Sequence, residues 1–184
     1  MRYFFIFLLV IIFYNSYSQS PVQKPAKSWA MPYMDSIYKG TMYVPFELTT
    51  LDGRKYTNES CMGKTVFFDF WFEGCHGCRD EFDKLNELYD SLKNDARYVF
   101  IAVTFDKGEE LPEFIKKYNM HYPIASAPPM EEVQRLNYML GFPSKVILDK
   151  EGRIVHIGMT KIDDKEDQMH MSLHHALSLM RSLQ

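Results

Sequence analysis

Two cysteines separated by two residues, Cys75-His76-Gly77-Cys78, stand between an apolar run and an amphipathic one, and nothing else in the chain narrows the fold so far. Thr65 to Phe72 is apolar apart from Thr65 and Asp69 and reads as a buried strand. From Arg79 to Lys93, Phe82, Leu85, Leu88, Tyr89 and Leu92 recur at helical spacing. The cysteines therefore sit where a strand hands over to a helix, with Cys75 at the helix start. Unpaired N–H groups and the positive end of the helix dipole favour an anion there. A thiolate is such an anion, so Cys75 is expected to ionise more readily than a free cysteine. Two intervening residues let a small disulfide ring open and close. The pattern reads as a dithiol/disulfide redox centre.

The chain of 184 residues begins with Arg2, an apolar stretch from Phe4 to Phe13 and the polar residues Asn15 to Gln19. These are the three parts of a secretory signal. We expect a signal peptide over residues 1–18, cut after Ser18. The apolar stretch is shorter than the ~20 residues that span a bilayer, so a membrane tether follows only if the signal is left uncleaved. An exported chain meets oxidising conditions. Three cysteines are nonetheless too few for a disulfide framework, and a bridge this short constrains little chain entropy. Redox work accounts for the pair better than stapling does. A net charge of −3 with no basic run leaves no footprint for nucleic acid.

Residues 19–40 carry Pro21, Pro25 and Pro32 and read as an arm or linker, and residues 41–184 as one domain. Within it, Met42 to Thr49 is extended and Asp52-Gly53 forms a turn. Tyr98 to Val103 is a second apolar strand, and Glu109 to Tyr118 a helix. Pro129 opens another helix, carried by Met130, Val133, Leu136 and Leu140 and ended by Gly141. Lys145 to Leu148 and Arg153 to Ile157 form a hairpin, and Lys165 to Leu183 a last helix. Strands alternating with helices before a closing hairpin argue for an α/β sandwich around a mixed sheet.

Asp69-Phe70-Trp71, Cys75-x-x-Cys78, Glu81, and Gly141-Phe142-Pro143-Ser144 before the hairpin together resemble the thioredoxin superfamily. In particular they resemble its exported TlpA/ResA-type thiol-disulfide oxidoreductases. The resemblance implies a thioredoxin-like three-layer sandwich, a central mixed sheet flanked by helices, with an N-terminal extension. It implies a redox-active Cys75–Cys78 disulfide, with Cys75 the nucleophile and Cys78 the thiol that resolves the mixed disulfide. Pro143 would be a cis-proline facing that disulfide, leaving backbone groups of Phe142 for an incoming peptide. Asp69, a carboxylate among phenylalanines, would accept the Cys78 proton. Glu81, one turn after Cys78, would exchange a proton with the same thiol. Trp71 would flank the disulfide, and a cationic His76 would favour the thiolate. The partners implied are client protein disulfides and an upstream thiol electron donor, in the periplasm or cell envelope of a bacterium. No cofactor beyond the disulfide is implied.

Other readings of these residues are weighed by what they lack. A zinc site would need a second cysteine or histidine pair, and haem attachment would need histidine where Arg79 stands. A thiol peroxidase would need a different sequence before Cys75 than Trp71-Phe72-Glu73-Gly74. An oxidising or isomerising enzyme would use the same residues at a higher potential. A copper-carrying thioredoxin-fold protein would need a distant histidine, His156 or His170. His170 and His174, four apart on the expected last helix, make a poor metal site by themselves, and no metal is expected. Cys61 reads as a small, partly buried hydrophobe.

Overall fold

The computed structural model describes residues 34–126, 128–165 and 170–184. The expected signal peptide and most of the expected arm lie outside the described residues. The elements are α1 (Met34–Tyr38), β1 (Glu47–Thr49), β2 (Lys55–Thr57), α2 (Asn58–Cys61), β3 (Thr65–Phe70), α3 (His76–Arg79), α4 (Phe82–Asp90) and β4 (Tyr98–Thr104). They continue with α5 (Leu111–Lys117), β5 (Ile124–Ser126), α6 (Met130–Leu136), β6 (Ser144–Leu148), β7 (Ile154–Gly158), β8 (Lys161–Asp163), β9 (His170–Ser172) and α7 (Leu173–Ser182).

The central sheet has five strands in the order β5-β4-β3-β6-β7. β3, β4 and β5 run parallel, and β6 and β7 return antiparallel to their neighbours. Every side chain of β3 is buried, so its alternation divides the core in two. Val66, Phe68 and Phe70 face one cluster, with Met34, Tyr43, Val133 and Leu136. Phe67 and Trp71 face the other, with Cys78, Phe82, Leu85, Ala176 and Met180. The sandwich is thus three layers, with α1 and α6 against one face and α3, α4 and α7 against the other. This is the expected thioredoxin-like architecture.

Four local expectations are corrected. The helix expected from Arg79 to Lys93 is broken at Asp80-Glu81. Glu81 does not cap α4 with its side chain but turns inward, fully buried. The helix after Pro129 ends at Leu136 rather than at Gly141, because Tyr138 and Met139 take left-handed φ values of 57° and 62°. The Asn137 amide fastens that turn by donating to the Leu140 carbonyl at 2.9 Å, and the Tyr43 hydroxyl donates to the Leu136 carbonyl at 2.7 Å. The last helix begins at Leu173, where the Ser172 hydroxyl accepts from the His175 N–H at 3.1 Å. Residues 170–172 instead pair with β8, so His170 and His174 do not share a helix face. Finally, β5 went unforeseen, being three residues long beside Pro123.

Candidate active site

β3 delivers the chain to the sheet's upper edge, and the Trp71 N–H still pairs with the Val103 carbonyl at 3.1 Å. A short loop then returns the Cys75 N–H to the Phe72 carbonyl at 3.0 Å and sets Cys75 at the N-cap of α3. Cys75 and Cys78 form a disulfide, with Cα atoms 5.3 Å apart. The Cys75 sulfur accepts the Cys78 N–H at 3.1 Å. Because α3 is a single turn, this directed N–H, more than a long helix dipole, is what the fold offers a Cys75 thiolate. Cys75 keeps 5% of its surface exposed and Cys78 none, so of the two sulfurs Cys75 is the one nearer solvent.

The Phe142–Pro143 peptide is cis, as the resemblance implied. Pro143 lies over the disulfide turn so closely that a Cβ added to Gly77 would sit 3.4 Å from its Cδ. Beside it three half-buried rings meet. Phe72 stacks on Phe105 at 5.5 Å, and both contact Phe142 edge-on, at 5.2 Å and 5.9 Å. Phe72 and Phe142 of this aromatic rim pack against the core cluster that holds both cysteines. Trp71, expected to flank the disulfide, lies within that same cluster. Trp71 is wholly buried, stacked on Phe114 at 5.7 Å and edge-on to Phe82 at 5.5 Å, and it supports the cysteines from beneath. His76 stands exposed between the cysteines.

The two carboxylates singled out in the sequence come together around a third residue. Lys145 donates from Nζ to Asp69 Oδ1 at 2.7 Å and to Glu81 Oε1 at 2.8 Å, and all three side chains are fully buried. Glu81 Oε2 accepts the Ile162 N–H at 2.7 Å, while Asp69 Oδ2 has no partner among the described residues. Strand alternation puts Asp69 on the face shared by Phe67 and Trp71, the face that packs Cys78. The Glu81 N–H bonds the Cys78 carbonyl at 3.2 Å, one turn on. Burial pushes both carboxyls above the usual range, against the pull of Lys145; Glu81 is pushed up to about 7. The sequence reading missed Lys145, which it placed in an apolar hairpin strand. Its signal was there: Lys145 stands directly across from Asp69 in the β3–β6 register, a lone cation opposite a lone anion.

Other candidates fall outside this assembly. Cys61 is buried in the opposite core cluster, and burial pushes its thiol up. His156 is held between Asp35 at 3.1 Å and Thr160 at 3.0 Å, and His170 lies 3.6 Å from Asp163. Both histidines a copper site would recruit thus stand beside carboxylates. Among the described residues no cluster of three or more histidine, cysteine or carboxylate side chains is placed to hold a metal.

The thiol-disulfide oxidoreductase ResA of a Bacillus cereus strain is 31% identical over 112 residues, 60% of this chain and 63% of its own length. The chain thus spans just under two thirds of that relative. ResA of Geobacillus kaustophilus is 27% identical over 162 residues, 87% of this chain and 85% of that one. Among solved structures, the thioredoxin domain of a thiol-disulfide oxidoreductase from Bacteroides vulgatus superposes with a TM-score of 0.61 at 23% identity, covering 77% of this chain and 97% of that one. A thioredoxin family thiol:disulfide interchange protein from Chlorobium tepidum gives 0.61 at 17% identity, over 79% and 97%. At those identities the likeness shows the fold, which is that of thioredoxin. The AhpC/TSA family model matches residues 40–157, a stretch that takes in the disulfide, the cis-proline and the buried lysine, and the chain belongs to that family.

Proposed function

We propose that this protein is an exported thiol-disulfide oxidoreductase that reduces disulfides in client proteins. The observation that carries the reading is the Cys75–Cys78 disulfide at the strand–helix junction, with Cys75 the only one of the pair to keep any exposed surface. In the reduced form, the Cys75 thiolate attacks a client disulfide. One client sulfur leaves and the other stays bonded to Cys75. Cys78 then attacks the Cys75 sulfur, the second client thiolate leaves, and the protein is left oxidised. Two electrons pass from the protein thiols to the client. An upstream thiol donor of the same chemistry restores the dithiol. The secretory pattern of residues 2–19 supports export, and among the described residues no helix is long and apolar enough to cross a membrane.

The reduction potential tests the direction. Equilibrating the protein in glutathione buffers, with the free thiols alkylated and counted by mass, should give a value near thioredoxin's, about −270 mV. A value near that of DsbA, about −120 mV, would make the protein an oxidant and overturn the proposed direction.

Client recognition falls to the aromatic rim. Phe142 is half-buried and leads into cis-Pro143, so it meets a peptide before the cysteines do. Phe142→Asp should reduce the rate on a protein disulfide by about tenfold, the loss of an apolar contact worth about 1.4 kcal/mol. Exchange with glutathione disulfide, which needs no such surface, should stay nearly unchanged. Equal loss on both substrates would show that Phe142 shapes the disulfide site and not client binding.

A further inference from the structure

The three half-buried rings beside the cis-proline have an acidic border. Phe72 is placed by Gly74: a Cβ there would lie 2.9 Å from Phe72 Cε2, so the ring rests on the backbone one residue before Cys75. Glu73 follows Phe72 and Asp106 follows Phe105. Asp106 Oδ2 ties the two segments together, accepting the Glu73 N–H at 2.6 Å and the Thr104 hydroxyl at 2.7 Å. From Phe105 to Glu113 the chain carries Asp106, Glu109, Glu110 and Glu113 against one cation, the exposed Lys107. Among the described residues Glu73, Glu109 and Glu110 pair with no cation. Burial, Asp106 and Glu110 all push the half-buried Glu73 carboxyl above its usual range, and no nearby cation opposes them.

We propose that this surface selects its clients by charge: it takes polypeptides that carry, next to the disulfide cysteine, an apolar residue for the three rings and a lysine or arginine for Glu73 and Glu110. The proposal rests on the thiol-disulfide reading above and adds the class of client to it. A cation arriving here displaces no existing partner, and a half-buried carboxylate is less screened than a fully exposed one. The ring faces themselves attract a cation. A client with glutamate in that place meets like charges instead, and repulsion of the wrong partner is what gives such a border its selectivity. The charges of α3 and its C-cap, His76, Arg79 and Asp80, are of mixed sign, and Asp80 is engaged by Lys161 at 3.0 Å. The acidic excess therefore lies with Glu73 and the segment after β4. Charges at the rim of a contact act chiefly on the rate of encounter and make it depend on salt.

Two symmetric peptide disulfides make the probe, alike but for lysine or glutamate on one side of the cysteine, with phenylalanine on the other. The protein is reduced beforehand, and acid quenching with intact mass follows its oxidation by each peptide. Dividing each rate by that of mercaptoethanol with the same peptide removes the intrinsic reactivity of the disulfide. At low salt the corrected rate should be about tenfold higher for the lysine peptide. The ratio should fall toward one near about 1 M salt, where the screening length is about 3 Å. Glu73→Gln combined with Glu110→Gln should slow the lysine peptide and quicken the glutamate peptide, cutting the ratio roughly threefold. Equal corrected rates in the wild type, a preference for glutamate, or a ratio that salt leaves unmoved would overturn the proposal. A double variant that keeps the wild-type ratio would overturn it too, and if that variant does not fold the wild-type salt series decides. Reaction with uncharged hydroxyethyl disulfide but with neither peptide would also count against it. A wild type that reacts with none of the three disulfides would instead overturn the thiol-disulfide reading beneath.

Discussion

Replacing Cys78 with serine will turn the protein from a catalyst into a trap. Cys75 keeps its exposure and its place at the N-cap of α3, and the residue 78 N–H that bonds its sulfur comes from the backbone, which the substitution leaves intact. It will still attack client disulfides, but nothing buried behind it can displace the client. Turnover should fall on the order of a thousandfold or more, as it does when a nucleophile is removed. Covalent complexes should build up, visible on non-reducing gels and released by an added thiol. Cys75→Ser should lose turnover equally and form no complexes. The contrast follows from burial: Cys75 retains a little accessible surface and Cys78 has none. Complexes with Cys75→Ser and none with Cys78→Ser would reverse the assignment and show that the α3 turn opens before it reacts.

The redox pair and the mixed α/β sheet were legible in local chemistry: apolar runs that read as buried strands, and two cysteines at a strand–helix junction. The cis state of Pro143 and the three-layer arrangement came through the family resemblance. What escaped was set by contacts between distant segments. Lys145 sits 76 positions from Asp69, and the two meet only because β3 and β6 pair antiparallel in one register. A lysine at the head of an apolar run looks like the solvated end of a strand, and only the fold shows it buried. The break in the long helix has the same source. The apolar spacing from Phe82 to Leu92 lies wholly beyond it and gives no sign of it, while the side chain of Glu81 at the N-cap turns inward to Lys145 and Ile162. The full burial of Trp71 escaped because periodicity gives a strand residue a face but not a depth. His170 was misplaced because the pairing of Ile162 with Met171 outweighs the helical pattern of the segment after it.

Lys145→Met should cost the folded protein about 3–5 kcal/mol at neutral to alkaline pH, the usual consequence of stripping one partner from a buried ion cluster. Methionine matches the lysine stem in volume, so the loss is electrostatic, and its dependence on pH identifies it. In the variant, Asp69 and Glu81 lose the cation that opposes their desolvation, and both carboxyls rise further above their unfolded values of about 4. A carboxyl whose folded value is raised binds its proton more tightly in the native state. Stability from such a group is fullest below the unfolded value and falls as pH climbs toward the folded one. In the wild type that fall runs from about 4.5 to about 7 for Glu81. In Lys145→Met it should be steeper and reach further, so the deficit is small near pH 4 and grows with pH. Urea unfolding at a series of pH values measures it. Replacing Asp69, Glu81 and Lys145 together with apolar residues of like volume should recover most of the loss, since no buried charge then remains. A deficit that stays constant with pH would instead assign the lysine's contribution to the packing of its alkyl stem, and with it the preference for a cation at this strand position would lose its electrostatic ground.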